Sequence, residues 1–200
     1  MPEHFNSAIW VSPTPAVRHE FIEAIIEAAK PFIGHPDRVN CLNYVLQTEL
    51  SESWDAAAAL LEKDLHDELL FVYLKPRTDG LSGERSEVCI DESATDAVYT
   101  LSLMQSDFEG ENFFEELKAL AIRLYQTAGK FADVYLVVAG YEFEINSAGG
   151  DLHSTLKNAL LEPARIEIIL CPGNERVDSS VGKFEKIVTP EYQMIWKRYE

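Results

Sequence analysis

The hydrophobic residues of this chain change their repeat near Leu69, and that change constrains the fold more than any other feature. Before it, apolar positions recur at helical spacing. Phe21, Ile22, Ile25, Ile26 and Ala29 share one face of a helix that Thr14-Pro15 would open, with Glu20, Glu23 and Glu27 off that stripe and Pro31 and Gly34 ending it. Val39, Leu42, Val45 and Leu46 predict a second helix from near Pro36 to near Leu50. Ser51-Glu52-Ser53 would cap a third, from Trp54 to about Leu65, packing through AAAALL.

From Leu69 the period becomes 2. Leu69 to Leu74, Ser86 to Asp91 and Ala97 to Met104 read as strands, the last with Tyr99, Leu101 and Leu103 on one face and Thr100 and Ser102 on the other. Their connections are too short for crossover helices, so they should pair antiparallel. A long helix follows over about Glu111 to Ala128, ended by Gly129. Strands are expected at Asp133 to Ala139, Glu142 to Ile145, Arg165 to Leu170 and Phe184 to Val188, with a helix over about Leu152 to Leu161. A last helix would follow Thr189-Pro190, with Tyr192, Ile195, Trp196 and Tyr199 as its apolar stripe. The expected fold is α+β: N-terminal helices, then a mainly antiparallel sheet with the long helix on one face. No low-complexity linker divides the chain, so residues 1–200 read as a single domain, with a helical part over 1–66 and a sheet-containing part over 67–200.

Several chemistries are excluded by spacing. Cys41, Cys89 and Cys171 form no CxxC pair, so no zinc ribbon or redox motif is present, and three thiols fit a reducing compartment. Cys89 and Cys171 fall in or at the end of apolar strands, where a thiol is buried and inert. His35-Pro36-Asp37 resembles the tripeptide of J-domain co-chaperones, but those carry a basic helix before it, and here that helix holds Glu20, Glu23 and Glu27. Asp107, Glu109 and Glu111 alternate like the first ligands of an EF-hand, yet Asn112 stands where the turn needs Gly, and Lys118 where calcium needs Glu. His153-Ser154-Thr155 is one HxT motif without the second that a two-histidine phosphoesterase requires. No phosphate loop, dinucleotide fingerprint or GxSxG is present, and no cofactor is expected.

The charge is the informative remainder. The 17 Lys and Arg stand against 34 Asp and Glu, a formal net of −17, which argues against nucleic acid or an anionic membrane as partner. From Glu52 to Glu116 there are 17 acids and 4 bases. Glu84, Glu87, Asp91, Glu92, Asp96, Asp107, Glu109 and Glu111 are therefore the expected docking residues for a basic protein partner. The N-terminal MPEHFNSAIWVSPTP has neither the basic nor the apolar region of a secretory signal, so a cytoplasmic protein is expected. The most concrete form of this expectation is a bacterial toxin-neutralising immunity protein or a nuclease inhibitor, because a nuclease surface is basic. The alternatives are a carboxylate- or metal-dependent hydrolase, with some of Asp107, Glu109, Glu111, Glu142 and Glu144 converging, and a structural or regulatory subunit of a complex.

Overall fold

A computed structural model describes residues 4–12, 14–65, 68–75, 86–93, 95–104, 113–141, 166–174 and 184–197. In chain order the described elements are β1 (His4–Ser12), α1 (Arg18–Ala29), β2 (Pro36–Asn43), β3 (Thr48–Ser53), a 3-10 turn (Trp54–Ala56), α2 (Ala58–Leu61), β4 (Glu68–Leu74), β5 (Glu87–Glu92), β6 (Ala97–Met104), α3 (Phe113–Ala128), β7 (Asp133–Tyr141), β8 (Ile166–Pro172), β9 (Phe184–Val188) and β10 (Tyr192–Lys197). The strands form one ten-stranded sheet in the order β3-β2-β4-β5-β6-β1-β7-β8-β10-β9. Every described pairing is antiparallel.

The molecule is therefore mainly β, and the expectation of an α+β fold led by three helices is overturned. Only the first of those helices stands, as α1. The second is a hairpin. Val39 and Cys41 lie two residues apart and both enter the core, which is strand spacing. Between them and β3, the Asn43 side chain accepts hydrogen bonds from the backbone N–H groups of Val45 and Leu46, and Gln47 adopts φ 53°, so residues 44–47 turn the chain back. His35-Pro36-Asp37 opens β2 rather than joining two helices; Lys75 N–H donates to the His35 carbonyl, and proline is tolerated as the first residue of a strand. The third helix shrinks to the 3-10 turn and the single turn of α2. The last is strand β10, where Tyr192, Met194 and Trp196 face one side and Gln193 and Ile195 the other. The expected strand at Glu142 to Ile145 and helix at Leu152 to Leu161 lie outside the described residues.

The unexpected element is β1, which joins the two halves of the sheet by pairing with β6 on one side and β7 on the other. Phe5, Ile9 and Val11 belong to a large core with α1 and α3, while Ala8 and Trp10 belong to a smaller core on the opposite face with Val98, Leu136, Val138, Ile169, Cys171 and Ile195. A strand buried on both faces shows no clean alternation. On the larger face α1 lays Phe21, Ile22, Ile25, Ile26 and Ala29 inward, and α3 lays Leu117, Leu120, Ala121 and Leu124 inward. The isoleucines are β-branched and poor helix formers, so α1 is held by burial, worth about 1.5–3 kcal/mol for each large side chain. Among the described residues no helix is long and apolar enough to cross a membrane.

One position in β1 is mismatched to its surroundings. Ser7 alternates with Phe5 and Ile9, is fully buried, sits in register with Leu101 and Ala139, and its hydroxyl has no hydrogen-bond partner among the described residues. Ser7→Ala removes that unsatisfied group with little change of volume and is expected to raise stability by about 1 kcal/mol. Urea denaturation checks it; a loss of stability would mean that the hydroxyl is bonded in solution.

Candidate functional site

The acids singled out from sequence divide into three groups. Glu84, Asp107, Glu109 and Glu111 lie outside the described residues, as do Glu142 and Glu144 of the hydrolase reading and the HxT motif. Glu92 and Asp96 are spent inside the protein. Arg18, at the first turn of α1, clamps Glu92 with two parallel bonds, Nε to Oε1 at 2.7 Å and Nη2 to Oε2 at 2.5 Å. Its Nη1 donates to the carbonyls of Leu61 and Lys63, the latter at 2.8 Å. The Tyr99 hydroxyl donates to Glu92 Oε1 at 3.1 Å. Burial pushes the Tyr99 phenol far up, and the Glu92 charge adds to it. Burial acts to lower the Arg18 pKa, but the bonds to Glu92 outweigh it and leave the guanidinium above its ordinary value. This cluster ties α1 and α2 to β5 and β6. Asp96 closes the turn between β5 and β6: its carboxylate accepts from the Trp10 indole N–H at 2.6 Å and from the Ser93 hydroxyl.

Glu87 and Asp91 remain. Both are half-buried on the sheet face opposite α1, since they pair with Ser102 and Val98 while their neighbours Val88 and Ile90 enter the large core. Phe71, Tyr73 and Arg38 share that face; the two rings stack at 6.4 Å, and the Arg38 guanidinium sits 5.1 Å from the Tyr73 centroid.

A second internal cluster decides the cysteine chemistry. Glu68 at the start of β4 accepts from Lys63 Nζ at 2.5–2.6 Å, from Asn43 at 3.2 Å and from the Cys41 thiol at 3.3 Å. The Lys63 bond holds the Glu68 carboxyl below its usual range, so this support is complete above ordinary carboxylate pKa values and fades as pH falls through the lowered one. Burial first, then the bond and charge of Glu68, push the Cys41 thiol up to about 11. That is the reverse of an activated nucleophile. At pH 8 Cys41 should alkylate about a hundredfold or more slowly than a free thiol with the ordinary pKa near 8.5, as read by peptide mass spectrometry; modification at the rate of a free thiol would contradict the cluster. None of the three cysteines is in a disulfide.

Among the described residues the sheet ends at β9, where Ile187 and Val188 are exposed, and at the edge made by the β2–β3 hairpin, which exposes more. All six side chains of β3 are exposed. Of the five most exposed large apolar side chains among the described residues, four lie here: Leu46 at 70%, Val45 at 65%, Leu50 at 54% and Tyr44 at 53%. Beside them stand the exposed carboxylates of Glu49, Glu52 and Asp55, followed by Glu62 and Asp64. The cation in that stretch, Lys63, is engaged with Glu68. A groove of about 360 Å³ runs between β3 and the segment after it, lined by Leu50, Ala56, Ala59 and Leu60, with Glu52 on the same face of β3. Exposed apolar surface with a charged rim marks an interaction site. This edge is hidden in the sequence because Val45, Leu46 and Leu50 also fit helical spacing; the polar run Thr48-Glu49-Leu50-Ser51-Glu52-Ser53, with one apolar residue, is the signal of a strand with little to bury. No protein-family model, no curated protein and no solved structure matches this chain.

Proposed function

We propose that the chain is an acidic binding protein that docks a basic protein partner, and that the β2–β3 hairpin is the surface it uses. The observation that carries this reading is the coincidence on one sheet edge of the exposed apolar tip Tyr44–Leu46 with the exposed carboxylates Glu49, Glu52 and Asp55. Apolar contact supplies affinity at the centre of such an interface, and the carboxylates steer a cationic surface toward it. A net charge of −17 favours the same class of partner and repels nucleic acid itself. The partner class with the best complementarity is a protein whose surface is basic because it binds phosphate, such as a nuclease, with this chain as its immunity protein or inhibitor. Glu92 and Asp96 contribute to folding in this account, and the docking charge comes from the edge.

The test uses the partner retained by the immobilised chain, then purified. Tyr44→Ala combined with Leu46→Ala removes two exposed side chains that support no core contact, so thermal stability should hold. The dissociation constant should rise at least tenfold, about 1.4 kcal/mol. Unchanged affinity in that variant would remove the hairpin from the interface.

A further inference from the structure

We infer that β3 accepts an extended segment of the partner as an added strand, with basic side chains toward Glu49 and small apolar side chains over the groove beside β3; this rests on the docking role of the hairpin. Three observations converge on it. β3 is the terminal strand of the sheet, and among the described residues no strand pairs with its outer side. Several devices that close an edge are missing: its register with β2 runs without a bulge from Arg38↔Ser53 to Asn43↔Thr48, and it holds no proline and no lysine; the charges it does carry, Glu49 and Glu52, repel an anionic strand and attract a cationic one. Its side chains also divide by face. Leu50 and Glu52 pair with Cys41 and Val39, which point into the large core, so they lie on the groove side; Glu49 and Ser51 lie on the face shared with Arg38, Phe71 and Tyr73.

The choice of occupant follows from charge. A second copy of this chain is disfavoured. Antiparallel self-pairing of β3 keeps each face with its like, so a register centred on Leu50 brings the two Glu49 carboxylates to diagonal positions on one face, and a register centred on Ser51 does the same for the two Glu52 carboxylates, where like charges repel; two chains of net −17 also repel. A cationic segment meets the opposite situation. Side chains of an extended strand alternate, so a segment beside β3 sends every second residue over Leu50, Ala56, Ala59 and Leu60 and the others toward Glu49. Main-chain hydrogen bonds then supply affinity, and the alternation supplies selectivity.

The probe is an acetylated and amidated peptide of four Lys-Val repeats. Bound to the full chain, it is expected to slow amide exchange within Thr48–Ser53 by about tenfold or more at saturation, with no comparable change in β9 at the opposite edge. The same peptide N-methylated throughout keeps its charge and side chains but cannot donate to β3, and should bind at least about tenfold more weakly. A peptide of Glu-Val repeats should not bind. Equal binding of the methylated peptide, binding without protection of β3, or no binding of the Lys-Val peptide would each overturn strand addition. Those results are distinct from failure of the docking reading, which is judged by the purified partner's affinity for the Tyr44→Ala/Leu46→Ala variant.

Discussion

Arg18→Ala is expected to lower the folding stability by about 3–5 kcal/mol, because it strands a buried carboxylate. Arg18 and Glu92 are both nearly excluded from water, with side-chain exposures of 9% and 8%, so neither charge can turn to solvent without moving α1. The substitution also unpairs the carbonyls of Leu61 and Lys63 and leaves the Tyr99 hydroxyl facing an uncompensated charge. Chemical denaturation reads the loss. Adding Glu92→Gln should return part of it, since the orphaned charge then disappears. A loss below about 1 kcal/mol would mean that the pair is solvated, as surface ion pairs are.

The second large effect belongs to Phe21, one turn further along α1. It is fully buried, meets the Tyr99 ring edge-on at 4.6 Å and the Phe131 ring at 5.3 Å. Phe21→Ala should cost about 3–5 kcal/mol, combining lost burial with the cavity left between α1 and β6. Because Arg18 and Phe21 both reach Tyr99 from the same helix, the double variant should fall short of the sum of the two. Strict additivity in equilibrium unfolding would show that α1 does not dock as one unit.

The parts legible in the sequence are those where one period dominates. α1 and α3 each carry a single apolar stripe, and β4 and β6 alternate, so type and place could be read locally. The failures share a cause. Val39, Leu42, Val45 and Leu46 satisfy a helical template, while Val39 and Cys41 satisfy a strand; over so few residues the two templates compete, and the decision is made by pairing with β4, about thirty residues away. Tyr192, Ile195 and Trp196 against Tyr192, Met194 and Trp196 is the same contest, settled by pairing with β8 and β9. β1 was hidden because apolar residues on both faces leave no period to see. The charge excess was plain, but its division was not. Glu92 finds Arg18 across 74 positions and Asp96 finds Trp10 across 86, and a contact between residues so distant in sequence leaves no local mark.

In the proposed docking role, exposed carboxylates on the β3 edge steer a basic partner onto the hairpin. The association rate between the chain and its purified partner, measured from about 50 to 300 mM salt, tests it most directly, because the Debye length falls from about 14 Å to about 6 Å across that range. The wild-type rate should fall by about tenfold or more across that range. The variant Glu49→Gln, Glu52→Gln and Asp55→Asn should start lower and show a shallower slope, with folding intact and dissociation little changed. A wild-type rate that does not respond to salt, matched by the same rate in the triple variant, would contradict the account.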